Sequence, residues 1–482
     1  MNVVEEILRI FAWLALVYFT GLNLIYLSFT LLAWDRLASY RRARSYMPLD
    51  EIFASPFTPP VSVILPAFNE EAVIVPSVTS LLDLRYPRHE VIVVNDGSTD
   101  GTLDRLRQEF DLVPVREALR TRIATTPIRA AYVSREHRNL WVVDKENGGK
   151  SDALNAGVNA AAHLYVCAVD ADAILEQDAL LRVVKPVVDD PELLAAAGGI
   201  VRVANGSVIE AGRLVEFGLP KSSLAAFQVV EYFRAFLIGR IGWDRVKGLI
   251  IISGAFGLFR RELVEAVGGY SRDTVGEDID LVVRLHRYLR ERGEAHRISF
   301  VPDPVCWTEA PEDLGTLSRQ RRRWQRGLGQ TLWRQRRMLF NPRFGSPGLL
   351  AMPYYLLFEF LGAGVEVLGL VLVLVAWLIG VLSLSFFLAF LAVSVLLSLL
   401  LSIAALLLEE YAVRRYERGS DIARLVGYAV AENFGYRQLT ALFRCIGVVD
   451  LIRRRRDWGK MRRRGLERPA EVPLPPGEKA RG

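Results

Sequence analysis

The stretch "LYVCAVDADAIL", residues 164–175, sets the reading of the fold. An apolar run from Leu164 to Val169 stops at Asp170, and Asp172 follows one alanine later. A short apolar run bounded by polar residues fits a strand buried on both faces. Residues i and i+2 of an extended chain point to one side, so the two carboxylates are expected to face the same way. Two such anions repel unless a proton or a cation intervenes. A hard divalent cation, Mg²⁺ or Mn²⁺, suits them and keeps water or phosphate in its other positions. The plainer alternative is a pair of strand-end or turn aspartates.

Two further runs resemble this one: "VSVILPAF" at 61–68 and "EVIVVND" at 90–96. Helix-like segments lie between the runs. The alternation predicts an α/β domain with a mostly parallel sheet covered on both faces. Such sheets bind ligands at the carboxyl ends of their strands. The residues at those ends are Asn69 and Glu70, Asp96, and Asp170 and Asp172.

Outward from this domain the chain turns apolar. Hydrophobic residues make up 51% of the 482, and charged residues 24%. That balance suits a soluble domain joined to membrane helices. Residues 11–33 carry no charge and would span roughly 34 Å as a helix, enough to cross a bilayer. The basic run after Asp35 places its C-terminal end in the cytoplasm. Arg-rich runs at 36–44 and 453–464 read as anchors beside an anionic leaflet. "FASPFTPP" at 53–60 reads as a linker. Residues 367–408 are uncharged and long enough for two crossings, with Gly380 near the turn. "PYYLLFEFLGAGVE" before them reads as an interfacial helix, and 422–452 as a re-entrant or interfacial helix pair. The Pro-rich end from 466 is expected to be disordered. The expected units are therefore 1–45, an anchor and basic flank; 46–338, the cytoplasmic domain; 339–452, interfacial and transmembrane helices; and 453–482, a basic tail. Cys167, Cys306 and Cys445 show neither a disulfide framework nor metal-ligand spacing. No nucleic-acid motif accompanies the net charge of +6.

Five more stretches carry chemistry. In "VNDGSTDGT", Asp96 ends a strand before Gly97, where it could bond to a base or ribose or form an Asx-turn. "DKENGGKSDALNAG" leads through Gly-Gly into a helix, and Lys150 at that helix start favours phosphate. In "SGAFGLFRREL", Gly254, Ala255 and Phe256 suit the floor beneath a sugar ring, or a loop packed in a core. Glu277 and Asp278 of "DTVGEDIDLVVRL" stand at a helix start, as capping residues or as a general base. In "SRQRRRWQRG", Gln320, Arg323 and Trp324 offer a planar amide, a phosphate-matching fork and a stacking ring, or simply a basic amphipathic helix.

Taken in order, Asp96, Asp170-x-Asp172, Glu277-Asp278 and Gln320-x-x-Arg323-Trp324 resemble the D, DxD, ED and QxxRW series of glycosyltransferase family 2. The likeness runs from about Val61 to Arg337 and is strongest to membrane-integrated processive synthases of the bacterial poly-β-1,6-N-acetylglucosamine type, relatives of cellulose, chitin and hyaluronan synthases. It implies a GT-A-type domain. Pro66, Asn69, Glu70 and Asp96 would hold the uridine of a UDP-sugar. Lys150 would hold the diphosphate, together with Asp172 and Asp170 acting through Mg²⁺ or Mn²⁺. Asp278, beside Glu277, would deprotonate the acceptor hydroxyl. Gln320, Arg323 and Trp324 would close over the nucleotide and the acceptor end, near Gly254, Ala255 and Phe256. The family often has Thr directly before Glu-Asp; this chain has Gly276. Residues 111–135 are long and Arg-rich for their place between motifs.

The resemblance implies a multi-pass plasma-membrane enzyme, with its catalytic domain in the cytoplasm, extending a β-linked polysaccharide from a UDP-sugar, N-acetylglucosamine first among the donors. Its implied partners are the growing polymer or a lipid-linked acceptor, membrane lipids, and small membrane or export subunits. The alternatives are a transferase adding one sugar to a lipid carrier and a non-enzymatic membrane receptor on the same fold.

Overall fold

The computed structural model describes residues 3–44, 49–115, 121–210, 213–412, 416 and 418–454. The basic tail beyond 454, the Pro-rich end and residues 45–48 ahead of the linker lie outside the described residues.

The strands are β1 Val61–Ala67, β2 His89–Asp96, β3 Leu112–Val115, β4 Ile128–Ser134, β5 Leu140–Lys145, β6 Tyr165–Val169, β7 Ile174–Leu175, β8 Leu194–Val203, β9 Val208–Glu210, β10 Arg213–Glu216, β11 Phe256–Arg260 and β12 Arg297–Thr308. Ten of them form one sheet in the order β3-β4-β5-β2-β1-β6-β11-β8-β12-β7, and β9 with β10 makes a separate hairpin. The heart of the sheet, β5-β2-β1-β6, is parallel, as the α/β reading expected. Its carboxyl ends therefore share one edge. Every residue of β6 is buried, and so is all of β2 after His89. That is why these runs are apolar without alternation.

The helices that matter to the site are α1 Val3–Arg44, α2 Lys150–Ala160, α3 Ser223–Phe233, α4 Glu277–Glu291, α5 Leu314–Arg334, α6 Gly362–Leu378, α7 Leu384–Ala412, α8 Gly419–Ala431 and α9 Tyr436–Ile452. The long 111–135 segment forms β3 and β4 at the sheet edge, with 116–120 outside the described residues. Its return folds onto α2: the Ile123 amide donates to Asn159 Oδ1 at 3.0 Å, and Thr126 Oγ1 donates to Asp152 Oδ2 at 2.8 Å.

The aspartate pair corrects one expectation. β6 stops at Val169, and Asp170 to Ala173 is a turn closed by the Ala173 amide on the Asp170 carbonyl at 3.0 Å. The carboxylates are thus presented by a turn and not by an extended strand. Ala171 and Ala173 are buried beneath it, while Asp170 and Asp172 are half-buried.

Among the described residues, Val3–Arg42 and Leu384–Ala412 are long and apolar enough to cross a membrane. A third span exists if Pro347–Phe360 and Gly362–Leu378, bent by 42°, count as one. The segment expected to be an interfacial helix contains that bend. Gly380, at φ +76°, turns the chain between α6 and α7, and Ser383 caps α7 by accepting from the Phe386 amide at 3.2 Å. The expected helix pair at 422–452 is α8 and α9. Buried charge ties this region to the α/β domain. Arg202 of β8 meets Glu409 of α7 at 2.6 Å, each side chain 3% exposed.

Candidate active site

The first part of the candidate site is built from three strand termini. After β1, the Asn69 amide donates to Ser98 Oγ at 3.0 Å, and Asn69 Oδ1 accepts from the Thr99 amide at 2.8 Å. The Glu70 amide donates to Thr102 Oγ1 at 2.9 Å. Pro66 lies past Ile64, the last β1 residue paired with β6, where a missing N–H leaves no gap in that ladder. Gly97 has φ +68°, and a Cβ there would meet the Asn147 amide nitrogen at 2.7 Å, so only glycine lets the two turns touch.

Asp96 behaves differently from the expected direct contact with a base. It is only 2% exposed. Its Oδ1 accepts from Lys145 Nζ at 2.5 Å and from the Gly148 amide at 3.0 Å; Oδ2 accepts from the Gly149 amide at 2.7 Å. Asp96 therefore shapes the Gly-Gly turn that starts α2. Lys145, which the motif reading passed over, is fully buried between Asp96 and Asp152, with Asp152 Oδ2 at 2.7 Å. Parallel register sets Lys145 directly beside Asp96. A lysine ending an apolar strand was the available signal.

The second cluster lies where β6 ends and β11 begins. Lys150 Nζ is 2.5 Å from Asp170 Oδ1 and 3.3 Å from Glu277 Oε1. Burial opposes its charge, but Asp170, Glu277 and Asp278 together hold the Lys150 ammonium above the usual lysine range. Glu277, buried at the first position of α4, is pushed above the usual carboxylate range by burial, against the pull of Lys150 and with help from Asp278. Asp278 Oδ2 accepts from the Gly254 amide at 3.2 Å, and Oδ1 accepts from the Ile279 amide at 2.8 Å. Gly254, Glu277 and Asp278 line one small pocket with Ser253 and Tyr270. Phe256 does not join them. Its side chain is fully buried in β11, paired to Val169 of β6, so it is core and not a floor for a ring. Ala255 contributes its carbonyl, which accepts from the Asp170 amide at 3.4 Å.

Helix α5 closes the third side. Arg323 lies near enough for its charge to act on Glu277 and on Tyr232. Tyr232, at the end of α3, also feels Asp172, and burial pushes its hydroxyl up to about 12. Sequence reasoning missed it. Gln320 is nearly buried, and its Oε1 has no hydrogen-bond partner among the described residues. Trp324 is 43% exposed and lies under the Arg321 guanidinium at 4.5 Å. The opposite face of α5 is fixed to α9 through Arg322 and Asp450 at 2.6 Å.

No group of three His, Cys, Asp or Glu side chains gathers into a metal cage among the described residues. Asp170 and Asp172 offer hard oxygen donors from a single turn. That donor set fits a cation that takes its other ligands from water or phosphate.

Residues 62–268 match the family model described as glycosyl transferase family 2. That stretch is similar to family 2 glycosyltransferases. The poly-β-1,6-N-acetyl-D-glucosamine synthase of Staphylococcus aureus strain COL is 32% identical over 277 residues, covering 57% of this chain and 56% of that relative. The synthase of Staphylococcus epidermidis is 30% identical over the same shares. The chain thus spans about half the length of the curated relatives it matches. A solved mannosyltransferase from Pyrobaculum calidifontis, in complex with GDP-Man and Mn²⁺, aligns at TM-score 0.49 and 20% identity, covering 89% of this chain and 99% of that one. The matched family 2 region holds Asp96, Lys150, the aspartate turn and Gly254. Glu277, Asp278 and α5 lie beyond it in sequence, and the fold brings them to the same edge.

Proposed function

We propose that this protein is a membrane-bound, inverting glycosyltransferase that moves a sugar from a UDP-sugar to the hydroxyl of a growing β-linked polysaccharide. N-acetylglucosamine is the sugar favoured by the named relatives. The reading rests above all on one observation: Asp278 is held by the Gly254 amide at 3.2 Å beside a Lys150–Asp170 pair at 2.5 Å, at the ligand end of a parallel sheet.

The chemistry follows from that placement. Asp278 accepts the proton of the acceptor hydroxyl. The freed oxygen attacks C1 of the sugar from the face opposite UDP, and the new C–O bond forms as the bond from C1 to the phosphate oxygen breaks. UDP departs with the electron pair, inverting the anomeric centre. Asp170 and Asp172 would hold Mg²⁺ or Mn²⁺, which offsets the charge gathering on the diphosphate. Lys150 and Arg323 add fixed positive charge on the same side. Gln320, with its unpartnered oxygen, and Trp324, with an exposed ring, suit the nucleotide and the acceptor end. The nearly buried Asp96 orders the turn carrying Lys150. The apolar helices would place the reaction at the cytoplasmic face of the plasma membrane and pass the polymer outward, with other subunits as partners.

The test is UDP release from the full chain in nanodiscs, with Mg²⁺ or Mn²⁺ and a panel of UDP-sugars, read beside product size by mass spectrometry. One active donor and a ladder of long products support the proposal. A single addition to a lipid carrier refutes polymerisation, and donor binding without turnover refutes catalysis.

A further inference from the structure

We infer that Gln330, acting through the touching glycines Gly276 and Gly327, is the positioning residue that sets Glu277 and Asp278 relative to α5; the inference rests on the transfer reading above. Gly276 directly precedes Glu277. A Cβ added to it would meet Gly327 Cα at 2.9 Å, and one added to Gly327 would meet Gly276 Cα at 2.8 Å. Two backbones therefore lie in direct contact, and neither position has room for a side chain. This accounts for glycine at 276, where the resemblance leads one to expect threonine.

Gln330 stands one turn along α5 from Gly327. Its Oε1 accepts from the Val275 amide at 3.0 Å and from Thr274 Oγ1 at 3.0 Å. Thr274 Oγ1 in turn accepts from the Gly276 amide at 3.1 Å. The three residues ahead of Glu277 are thus hydrogen-bonded, directly or in relay, to a single side-chain oxygen of α5. The same helix carries Gln320, Arg323 and Trp324, and it is pinned on its other face by Arg322 to Asp450 at 2.6 Å. Gln330 is not among the residues lining the Asp278 pocket. It fixes the distance between the carboxylate that takes the proton and the helix that faces the nucleotide. A shift of this kind changes turnover more than ground-state donor binding, because it misplaces a base needed only in the transition state.

The experiment uses the full chain in nanodiscs with Gln330→Leu, Gln330→Glu and Gly327→Ala. Gln330→Leu and Gly327→Ala are expected to lower kcat about 10-fold or more while the UDP-sugar KM stays within about 2-fold. Hydrogen exchange of the 274–279 amides speeds up in Gln330→Leu. Gln330→Glu, whose carboxylate accepts the same two bonds, keeps kcat and exchange near wild type. Unchanged kcat and exchange in Gln330→Leu overturns the inference. So does a loss of kcat that Gln330→Glu shares, since the acceptor oxygen would then not be what matters. If the wild-type protein transfers no sugar from any donor, the transfer reading fails, while the exchange rates at 274–279 still decide whether Gln330 holds the carboxylate helix.

Discussion

Replacing Lys145 with methionine strands two carboxylates in the interior. The ammonium is fully buried, 2.5 Å from Asp96 and 2.7 Å from Asp152. Neither acid is left bare. Asp96 keeps the Gly148 and Gly149 amides, and Asp152 keeps Arg272 at 2.8 Å and Thr126. Removing one partner of a buried ion pair costs roughly 3–5 kcal/mol. The surviving partners argue for the lower end, about 3 kcal/mol, or roughly 6–12 °C of melting temperature for a domain of about 250 residues. The effect on function follows from the same bonds. Asp96 orders the turn that starts α2 and carries Lys150, so the affinity for UDP is expected to fall about 10-fold, or about 1.4 kcal/mol. Thermal unfolding of the full chain in detergent and UDP calorimetry give the two numbers. Lys145→Met/Asp152→Asn, which removes one stranded charge, is expected to recover part of the stability. If Lys145→Met melts with wild type and binds UDP normally, the network does not organise the nucleotide end and the reasoning fails.

Other outcomes are equally specific. Asp278→Asn is expected to keep UDP binding while transfer falls by at least about 100-fold, the usual contribution of a general base; calorimetry beside a turnover assay checks both. Arg202→Met leaves Glu409 charged and buried, so it is expected to destabilise by about 3 kcal/mol, and Arg202→Met/Glu409→Leu by less, which a thermal double-mutant cycle measures. Burial pushes His286 down to about 3, with its Nε2 on the Leu249 carbonyl at 2.9 Å. Below about pH 6.5 the unfolded chain binds a proton that the folded one refuses, so this stability is present above pH 6.5 and is lost as pH falls toward 3, by about 1.4 kcal/mol per pH unit. His286→Gln is expected to flatten the loss of melting temperature between pH 7 and pH 5.

The α/β class was legible because strands buried on both faces must be mostly apolar, as Val63–Leu65, Val91–Val94 and the 165–169 run are. The strand ends that carry the candidate site were legible for a related reason. Carboxylates following such runs can only lie at the strand ends. The helices long and apolar enough to cross a membrane were legible from length and the absence of charge, and Gly380 from its place between two apolar runs. The order of the motifs carried the family resemblance.

Which way each side chain turns was not in the sequence. Asp96 ends a buried strand and Asp170 directly follows one, yet the first is saturated by Lys145 and the Gly-Gly turn, and the second meets Lys150 at the edge. Phe256 follows Gly254 by two residues, but antiparallel pairing with β6 sends it into the core. The aspartate pair sits in a turn because the alanines between and after the acids pack inward. Gln330 and Gly327 carry no chemistry of their own, and they matter only because α5 crosses the start of α4 at backbone contact. Sequence determined which groups the chain possesses and the period of burial that builds the sheet. Tertiary structure decided which charges meet which partners, because pairing in a low-dielectric interior depends on contacts between residues far apart in the chain.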